Sequence, residues 1–448
     1  MSAEGGGEGG CDPPEGSRHL LVIADGLAEP PTDESTLARA ATPVLDRMCG
    51  SGLLCRIDPQ DGMPAERTTS ERGIARLLGG DDTESGSLKR ASLLSLLSGV
   101  EEEGDGSACW FFLVTPVFFD RERRLVRYVN DRDREHLFWT RILDRFPDDP
   151  SCRLRPLRRG DGKIERMLLA LSCPPSPDRC EGSPPRLGLS ESFCGFSPAF
   201  SDLLRRTPGF ENFFQEGPRE GIRMGPGHEI NGLWLWGGGP SLPSEREARD
   251  KRESQTPGRR WLVGDTLLVR ALGLRFGYRS TPLRNSTGDV DTDLAEKMAA
   301  VLWGIREGAS RIVLHLEGFD MASHRRDSPG KIRFLERVDR EVFGPLEKWL
   351  DSGLLTSVRI TSDHQSSPVS GNHESGPVPA LLIHRNGSEG FAGLPGKGGG
   401  GPSVFRMTEK DSLSCPLVSV AEWNGWLDRY EKERANLNGG KDLCLALS

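Results

Sequence analysis

Three aspartates follow short apolar runs that have the composition of buried parallel strands. Asp25 comes after residues 19–24, Asp320 after residues 311–316, and Asp363 after residues 357–360. The carboxyl ends of parallel strands meet at one edge of an open sheet, and ligands bind at that edge. A single aspartate after a strand is usually a helix cap or a turn residue, so only the set of three indicates a site.

Histidines accompany two of these aspartates. Asp320 and His324 are four residues apart and share one face if the segment is helical. His364 is adjacent to Asp363, so their side chains diverge and could serve two neighbouring ions, and the Ser/Pro/Gly loop that leads to His373 could fold back. Mixed Asp/His ligation suits Mn²⁺ or Zn²⁺, and two such ions ~3.5–4 Å apart recur in phosphoryl transfer. One histidine alone is more often structural, but the set predicts a centre for two divalent metal ions.

Ser70 stands where a loop enters a predicted helix, and its hydroxyl has two interpretations. The commoner role of a hydroxyl at this position is an N-cap, and the local sequence favours it. The alternative is a metal-activated nucleophile at a helix N-terminus, where exposed N–H groups would receive a phosphate. The two roles are compatible.

The elements that must position these residues alternate between strand and helix. A fourth apolar run covers residues 379–383, and apolar residues recur at helical spacing over 36–50, 291–307 and 329–350. Alternating strands and helices predict an α/β fold with a mainly parallel sheet flanked by helices.

The middle of the chain has a different character. Short strand-like runs at 110–119, 167–171 and 233–236 lie among segments rich in Pro, Gly and Arg. We interpret this region as a smaller α+β domain inserted into the sheet domain. The predicted organisation is a disordered tail (1–17), the first part of a core (18–104), an inserted substrate-binding domain (105–249) and the second part of the core (250–448).

Composition excludes several classes of partner. The chain has 58 Lys+Arg against 66 Asp+Glu, a net charge of −8, which argues against a nucleic-acid partner. No apolar stretch approaches the ~20 residues that a membrane span needs, and the first residues lack the features of a signal peptide. Ten scattered cysteines without a CxxC pair favour reduced thiols. We therefore expect a cytoplasmic protein with no membrane association, and the oligomeric state stays open.

Taken in order, these motifs resemble the alkaline phosphatase superfamily, and are most similar to cofactor-independent phosphoglycerate mutases of the archaeal type. The similarity covers most of 19–104 and 225–390. The motifs that carry it are Leu21-Val22-Ile23-Ala24-Asp25-Gly26, Ser70…Leu77-Leu78-Gly79, Asp320-x-x-x-His324, Ser362-Asp363-His364, His373, Ile230-Asn231-Gly232-Leu233-Trp234-Leu235-Trp236-Gly237 and Ser286-Thr287-Gly288-Asp289.

The resemblance implies a glycolytic isomerase with an alkaline-phosphatase-like fold. It would interconvert 3- and 2-phosphoglycerate, a small phosphorylated substrate, at two divalent metal ions (Mn²⁺ or Zn²⁺). Ser70 would be the nucleophile that forms phosphoserine. Lys297 aligns with a family lysine near the transferred phosphate, although a solvated helix residue is an equal alternative, and Arg270 is a weaker candidate for an anion contact. One metal would bind to Asp25, Ser70, Asp363 and His364, and the other to Asp320, His324 and His373.

The inserted domain departs from that family. An arginine-containing motif is expected near 110–134, but an aromatic run, Trp110-Phe111-Phe112, stands there with only scattered arginines. Aromatic side chains of this kind cannot replace bidentate arginines that bind a phosphorylated carboxylate. Two alternatives therefore stay open: a phosphatase, phosphodiesterase or phosphotransferase for another small substrate, and a non-catalytic relative.

Overall fold

The structure is a computed structural model of the 448-residue chain. It describes residues 17–80, 89–98, 110–119, 125–128, 132–143, 152–172, 222–223, 229–230, 232–242, 259–386 and 406–426. The predicted disordered tail lies, except for Ser17, outside the described residues.

The described elements alternate between strands and helices in the first and last parts of the chain. The strands are β1 (His19–Ala24), β2 (Leu53–Ile57), β3 (Trp110–Phe119), β4 (Leu125–Tyr128), β5 (Cys152–Arg158), β6 (Ile164–Leu171), β7 (Ile222–Arg223), β8 (Glu229–Ile230), β9 (Gly232–Pro240), β10 (Arg259–Val263), β11 (Arg279–Ser280), β12 (Ala309–Leu316), β13 (Ser357–Thr361), β14 (Gln365–Ser367), β15 (Asn372–Glu374), β16 (Val378–His384) and β17 (Leu417–Val418).

The helices are mostly short. They are α1 (Thr36–Arg39), α2 (Pro43–Ser51), α3 (Ser70–Leu77), α4 (Arg90–Ser95), α5 (Arg132–Ile142), α6 (Leu267–Arg275), α7 (Leu294–Arg306), α8 (Gly318–His324), α9 (Ser328–Val338), α10 (Gly344–Asp351) and α11 (Glu409–Ser412). None of the described helices combines the length and apolar character that a membrane crossing requires.

Contacts within the chain divide it into two compact units. The first contains residues 1–66, 258–263 and 294–448, and the second contains 67–257 and 264–293. The segment 105–249, predicted as an insertion, falls within the second unit. That unit also includes residues on both sides of it, among them α3 and α6.

The first unit is built on a mainly parallel sheet, as the sequence predicted. Within this unit the strand order is β10-β12-β1-β13-β16-β2-β17. β10, β12, β1 and β13 run parallel, and β16 is antiparallel to both β13 and β2. Every residue of β1 is buried, which is why its sequence is apolar almost throughout. Its carboxyl end therefore lies at the centre of one edge of the sheet.

The second unit contains a separate antiparallel sheet of order β4-β3-β6-β5, with β9 paired to β3. Phe111 and Phe112 of β3 are buried, as are Phe138 and Trp139 of α5. The aromatic run that departs from the family pattern is therefore part of the hydrophobic core of this unit.

Two predicted helices are interrupted. The prediction of a single helix over 36–50 is wrong, because the helix ends at Arg39 and a new one begins at Pro43. Proline lacks an N–H and disfavours the helical conformation in the residue before it, and Thr42 has φ −122° and ψ 59°. The helix predicted over 329–350 forms, but a π-helical segment, Asp339–Phe343, joins α9 to α10.

Candidate metal centre

The three aspartates are delivered to one edge of the sheet by neighbouring strands. Ile23 of β1 pairs with His315 of β12 on one side and with Thr361 of β13 on the other. Asp25 therefore leaves the sheet beside α8, which carries Asp320, and beside the loop that carries Asp363. The predicted convergence of strand ends is the geometry that is observed.

A first group of candidate metal ligands consists of Asp25, Asp363 and His364. Each residue contributes one ligand atom, and these three atoms lie within 4.8 Å of one another. The Nε2 atom of His364 is 3.3 Å from Oδ1 of Asp25 and 3.4 Å from Oδ2 of Asp363. All three residues are buried. This group contains three of the four residues that the resemblance assigns to one metal.

A second group consists of Asp320, His364 and His373, again with ligand atoms within 4.8 Å. The loop after His364 folds back as the β14–β15 hairpin, in which Ser366 pairs with His373. The rings of His364 and His373 stack with centroids 4.0 Å apart, and Nε2 of His373 is 3.6 Å from Oδ1 of Asp320. His364 therefore belongs to both groups.

His324 lies beside the second group and outside its tight cluster. Its Nε2 is 3.1 Å from Oδ2 of Asp320 across one turn of α8, which confirms that the segment is helical. Its Nδ1 is 2.9 Å from the carbonyl oxygen of Gly371, which orients the ring. The hydrogen bond with Asp320 raises the pKa of His324 to about 9, against the opposing effect of burial.

The carboxyl groups at this edge differ in pKa. Burial would raise the pKa of Asp25, but hydrogen bonds with His315 and His364 hold it at about 2. Burial and the neighbouring carboxylates of Asp25 and Asp320 raise the pKa of Asp363 well above its usual value. Ionising three buried carboxyl groups this close together costs free energy, because their negative charges repel one another. Bound cations would compensate that repulsion.

Individual oxygen atoms show where cations would be held. Oδ1 of Asp25, Oδ1 of Asp320 and Oδ2 of Asp363 are buried and accept no well-formed hydrogen bond from the described residues. Buried polar atoms are normally satisfied, so such oxygens need another partner. With imidazole nitrogens beside them, they form a donor set that suits Mn²⁺ or Zn²⁺. The residues present therefore fit the predicted pair of divalent ions.

Gly26 permits the close approach of β1 and α8. It has φ +65°, and a Cβ at this position would lie 2.8 Å from Cβ of Asp320. Its N–H donates to Oδ1 of Asp363 at 3.2 Å. Glycine adopts this left-handed conformation without the strain that a side chain imposes.

His315 is a site-associated residue that the sequence analysis missed. It is almost fully buried on β12, and its Nε2 lies 3.1 Å from Oδ2 of Asp25. The available signal was an imidazole inside the apolar second half of the strand, one residue before the strand's end. Such a residue needs a polar partner, and the neighbouring strand end supplies one.

Lys297 lies in the first unit and is completely buried, so its interpretation as a solvated helix residue is wrong. Its Nζ donates to the carbonyl oxygen of His315 at 2.9 Å. The lysine is thus linked to the metal-centre residues through the backbone of β12. A contact between Lys297 and a transferred phosphate stays a prediction.

The other two candidate residues, Ser70 and Arg270, belong to the second unit. The side chain of Thr69 caps α3 by accepting from the N–H of Arg72 at 3.3 Å, so the interpretation of Ser70 as the cap is wrong. Ser70 is the first residue of the helix and is partly exposed. Arg270 donates to the carbonyl oxygen of Arg158 at 3.4 Å, and burial lowers the pKa of its guanidinium.

Comparison with known sequences identifies the family. A profile described as the Metalloenzyme superfamily matches residues 17–400. The chain belongs to this superfamily. A 2,3-bisphosphoglycerate-independent phosphoglycerate mutase 1 of Methanothermobacter thermautotrophicus is 24% identical over 386 residues, which cover 81% of this chain and 88% of the relative. The corresponding mutase of Methanothrix thermoacetophila is 32% identical over 155 residues, which cover 34% of this chain and 38% of the relative.

Solved structures agree on the fold of this superfamily member. The PH0037 protein of Pyrococcus horikoshii has a TM-score of 0.65 at 18% identity, with 91% of this chain and 95% of that one covered. A cofactor-independent phosphoglycerate mutase of Thermoplasma acidophilum has a TM-score of 0.52 at 17% identity, covering 91% and 98%. At these identities the likeness concerns the fold alone. The predicted family and the predicted α/β fold are both confirmed.

Proposed function

We propose that this protein is a metal-dependent phosphotransfer enzyme of the phosphoglycerate mutase type. It interconverts 3- and 2-phosphoglycerate through a phosphoserine on Ser70. The observation that carries the proposal is the convergence of three buried carboxylates and two imidazoles into two overlapping ligand groups at the end of β1. Relatives that match over four-fifths of the chain are named as mutases of this type. The proposed substrate is taken from their names.

The proposed reaction has two balanced steps. The Ser70 oxygen forms a bond to phosphorus as the bond between phosphorus and the 3-oxygen breaks, and the serine proton passes to that oxygen. The oxygen of the 2-hydroxyl then forms a bond to phosphorus as the bond between phosphorus and the Ser70 oxygen breaks, its proton passes to Ser70, and 2-phosphoglycerate leaves. Divalent ions at such a centre supply charge neutralisation and a lowered hydroxyl pKa.

Each proposed site residue has a defined task. Asp25, Asp363, His364 and Ser70 would hold one ion, and Asp320, His324 and His373 the other. In the described geometry His364 also faces the second group, so this division is part of the proposal. Lys297 would support the site through β12, and Arg270 would contact a substrate anion. A cytoplasmic location and a place in glycolysis belong to the same proposal.

The experiment is a mutase assay of the purified protein with added Mn²⁺. Ser70→Ala should abolish interconversion, with at least a 10³-fold loss, because no oxygen remains to accept the phosphoryl group. Thr69→Ala is the matched control, since it removes the cap of the same helix and costs about 1 kcal/mol of stability without touching the nucleophile. A Ser70→Ala protein that retains the activity of Thr69→Ala would contradict the phosphoserine route.

A second candidate function is supported by the buried aromatic run. Phe111 and Phe112 lie in the core of the second unit where the family's arginine motif is expected, so they cannot donate to a phosphate. That observation favours a hydrolase or phosphotransferase for a different small phosphate ester. Mn²⁺-dependent turnover of a generic phosphomonoester or phosphodiester, lost in Ser70→Ala and accompanied by no mutase activity, would decide for this candidate.

A further inference from the structure

His315 occupies a position that packing alone does not explain. Its imidazole is 1% exposed, and its Nδ1 is buried without a hydrogen-bond partner among the described residues. A buried, unsatisfied nitrogen costs free energy, and an apolar side chain would avoid that cost. The remaining polar contact of the ring is the 3.1 Å approach of its Nε2 to Oδ2 of Asp25.

The backbone around His315 is held from several directions. β12 is paired with β1 on one side and with β10 on the other. The carbonyl oxygen of His315 accepts from Nζ of Lys297 at 2.9 Å, and that lysine is fully buried in α7. The imidazole therefore projects from a fixed point towards the end of the neighbouring strand.

The contact with His315 involves one oxygen of Asp25 and leaves the other to face the ligand group. With its proton on Nε2, His315 donates to Oδ2, and this hydrogen bond fixes the rotation of the carboxylate. The other oxygen, Oδ1, is then presented towards the first ligand group, 3.3 Å from Nε2 of His364. That oxygen is one of the buried atoms that lack a well-formed hydrogen bond.

We infer that His315 is a positioning residue of the metal centre: it orients Asp25 so that Oδ1 faces the ion, and Lys297 fixes the backbone from which it acts. The inference rests on the proposed metal centre and concerns a residue outside the predicted ligand set. Hydrogen bonds to metal-ligating groups commonly change metal affinity 10- to 100-fold when they are removed.

The test is calorimetric titration of the metal-free, full-length protein with Mn²⁺, together with thermal melting of the metal-free form. His315→Leu should weaken Mn²⁺ binding 10- to 100-fold. His315→Gln keeps an amide donor near the position of Nε2 and should stay within about fivefold of the wild type. His19→Leu is the matched control, because His19 is also buried in this sheet but lies at the opposite end of β1, with Nδ1 2.8 Å from Oγ of Ser357.

The outcomes separate the inference from the proposed function. Weakened binding in His315→Leu but not in His19→Leu, at similar melting temperatures of the metal-free proteins, supports the inference, and rescue by glutamine assigns it to the hydrogen bond. Equal affinities for His315→Leu and His19→Leu overturn it. If His315→Leu does not fold, His315→Gln decides the matter. Mn²⁺ affinity close to that of the wild type then supports the inference, and a loss as large as in Asp25→Ala overturns it. A wild-type protein that binds neither Mn²⁺ nor Zn²⁺ overturns the proposed function itself, before any substitution is compared.

Discussion

The pKa of each aspartate at this site depends on the side chains that its carboxyl group faces. Asp25 and Asp363 lie in the same ligand group, yet their pKa values move in opposite directions, down for Asp25 and up for Asp363. The difference arises because Asp25 faces two imidazoles, whereas Asp363 mainly faces the other carboxylates. A bound dication would relieve this conflict, because its charge favours the ionised form of every carboxylate around it.

Gly26 offers a test at the scale of one residue. Gly26→Ala should weaken Mn²⁺ binding at least tenfold, because the new Cβ would lie 2.8 Å from Cβ of Asp320 and must displace it. Gly62→Ala is the matched control: Gly62 also has a positive φ, +69°, but nothing lies within 4 Å of its position for a Cβ. Both substitutions share a backbone cost of about 1 kcal/mol. Equal Mn²⁺ affinities in calorimetric titration would show that the approach of Gly26 to Asp320 does not matter.

At this scale the sequence proposes candidate residues but does not fix which of them lie in contact. The spacing of Asp320 and His324 indicated a shared helical face, and the two side chains do meet. Nothing in the spacing could show that His364 rather than His324 stands in the tight cluster with Asp320, because that depends on how the β14–β15 hairpin folds back. The N-cap falls on Thr69 and not on Ser70, and local sequence does not distinguish the two because serine and threonine are both good capping residues.

Among the elements, the β14–β15 hairpin depends most on its surroundings. It is short, yet it carries His373 and follows His364 directly. The carbonyl oxygen of Ser366 in β14 accepts from Nζ of Lys331 at 2.8 Å and from Oγ of Ser323 at 3.1 Å. Lys331 in turn lies 3.0 Å from Oε1 of Glu29. The buried ion pair of Lys331 and Glu29 therefore holds the hairpin in place through the backbone of Ser366.

Removing the buried cation should destabilise the protein. We expect Lys331→Met to lower the free energy of unfolding by about 3 kcal/mol, because it leaves Glu29 as a buried carboxylate without its cation. Lys348→Met, on the exposed side of α10, should change it by less than about 0.5 kcal/mol. Urea unfolding of both variants measures the difference. A Lys331→Met protein as stable as Lys348→Met would refute the role of this ion pair.

The sequence predicted the strands of the first unit closely, because each is a short apolar run that ends in polar residues. Pro43 indicates a helix boundary, but the apolar residues at helical spacing on both sides of it favour a single helix over 36–50. β2 was missed because its run, Leu53–Ile57, contains an arginine and follows a helix with almost no loop. The π-helical segment is directly followed by Gly344 and Pro345; the proline lacks an N–H and so interrupts the regular helical hydrogen bonds there.

At the scale of the whole molecule, Glu409 joins the last part of the chain to the first. Its carboxylate accepts from the N–H of Glu29 at 2.9 Å and from Oγ of Ser35 at 2.7 Å. Burial, with the nearby charge of Glu29, raises the pKa of Glu409 to about 7, although the hydrogen bonds oppose this. Lys331 also lies close enough to interact with its charge.

The raised pKa makes stability depend on pH. Between pH 4.5 and 7 the unfolded chain ionises Glu409 while the folded protein keeps it protonated. The stabilising contribution is therefore complete below pH 4.5 and lost as the pH rises through about 7. Relative to Glu409→Gln, the wild type should lose about 2.5 kcal/mol of unfolding free energy between pH 5 and pH 8.

Denaturant unfolding across this pH range measures the effect, with Asp411→Asn as the control on the exposed side of α11. That control should follow the wild-type pH profile. A Glu409→Gln profile parallel to the wild type would contradict the assignment.

The domain organisation stays a prediction from the order of the elements. The order of elements indicated an insertion into a sheet domain, but contacts place α3 and α6 with the second unit. Which unit a helix joins depends on the surface that its apolar face finds, and local periodicity does not contain that information.

The position of β1 between β12 and β13 has a consequence for biosynthesis. His315 contacts Asp25 across 290 residues of sequence, and His19 contacts Ser357 across 338. During translation β1 is made long before its two neighbours in the sheet, β12 and β13. Contacts of such long range form slowly, and an apolar strand with two open edges invites pairing with other chains. β1 should therefore depend on chaperones until β12 and β13 have been made, and the proposed ligand set can be complete only once His373 has been made.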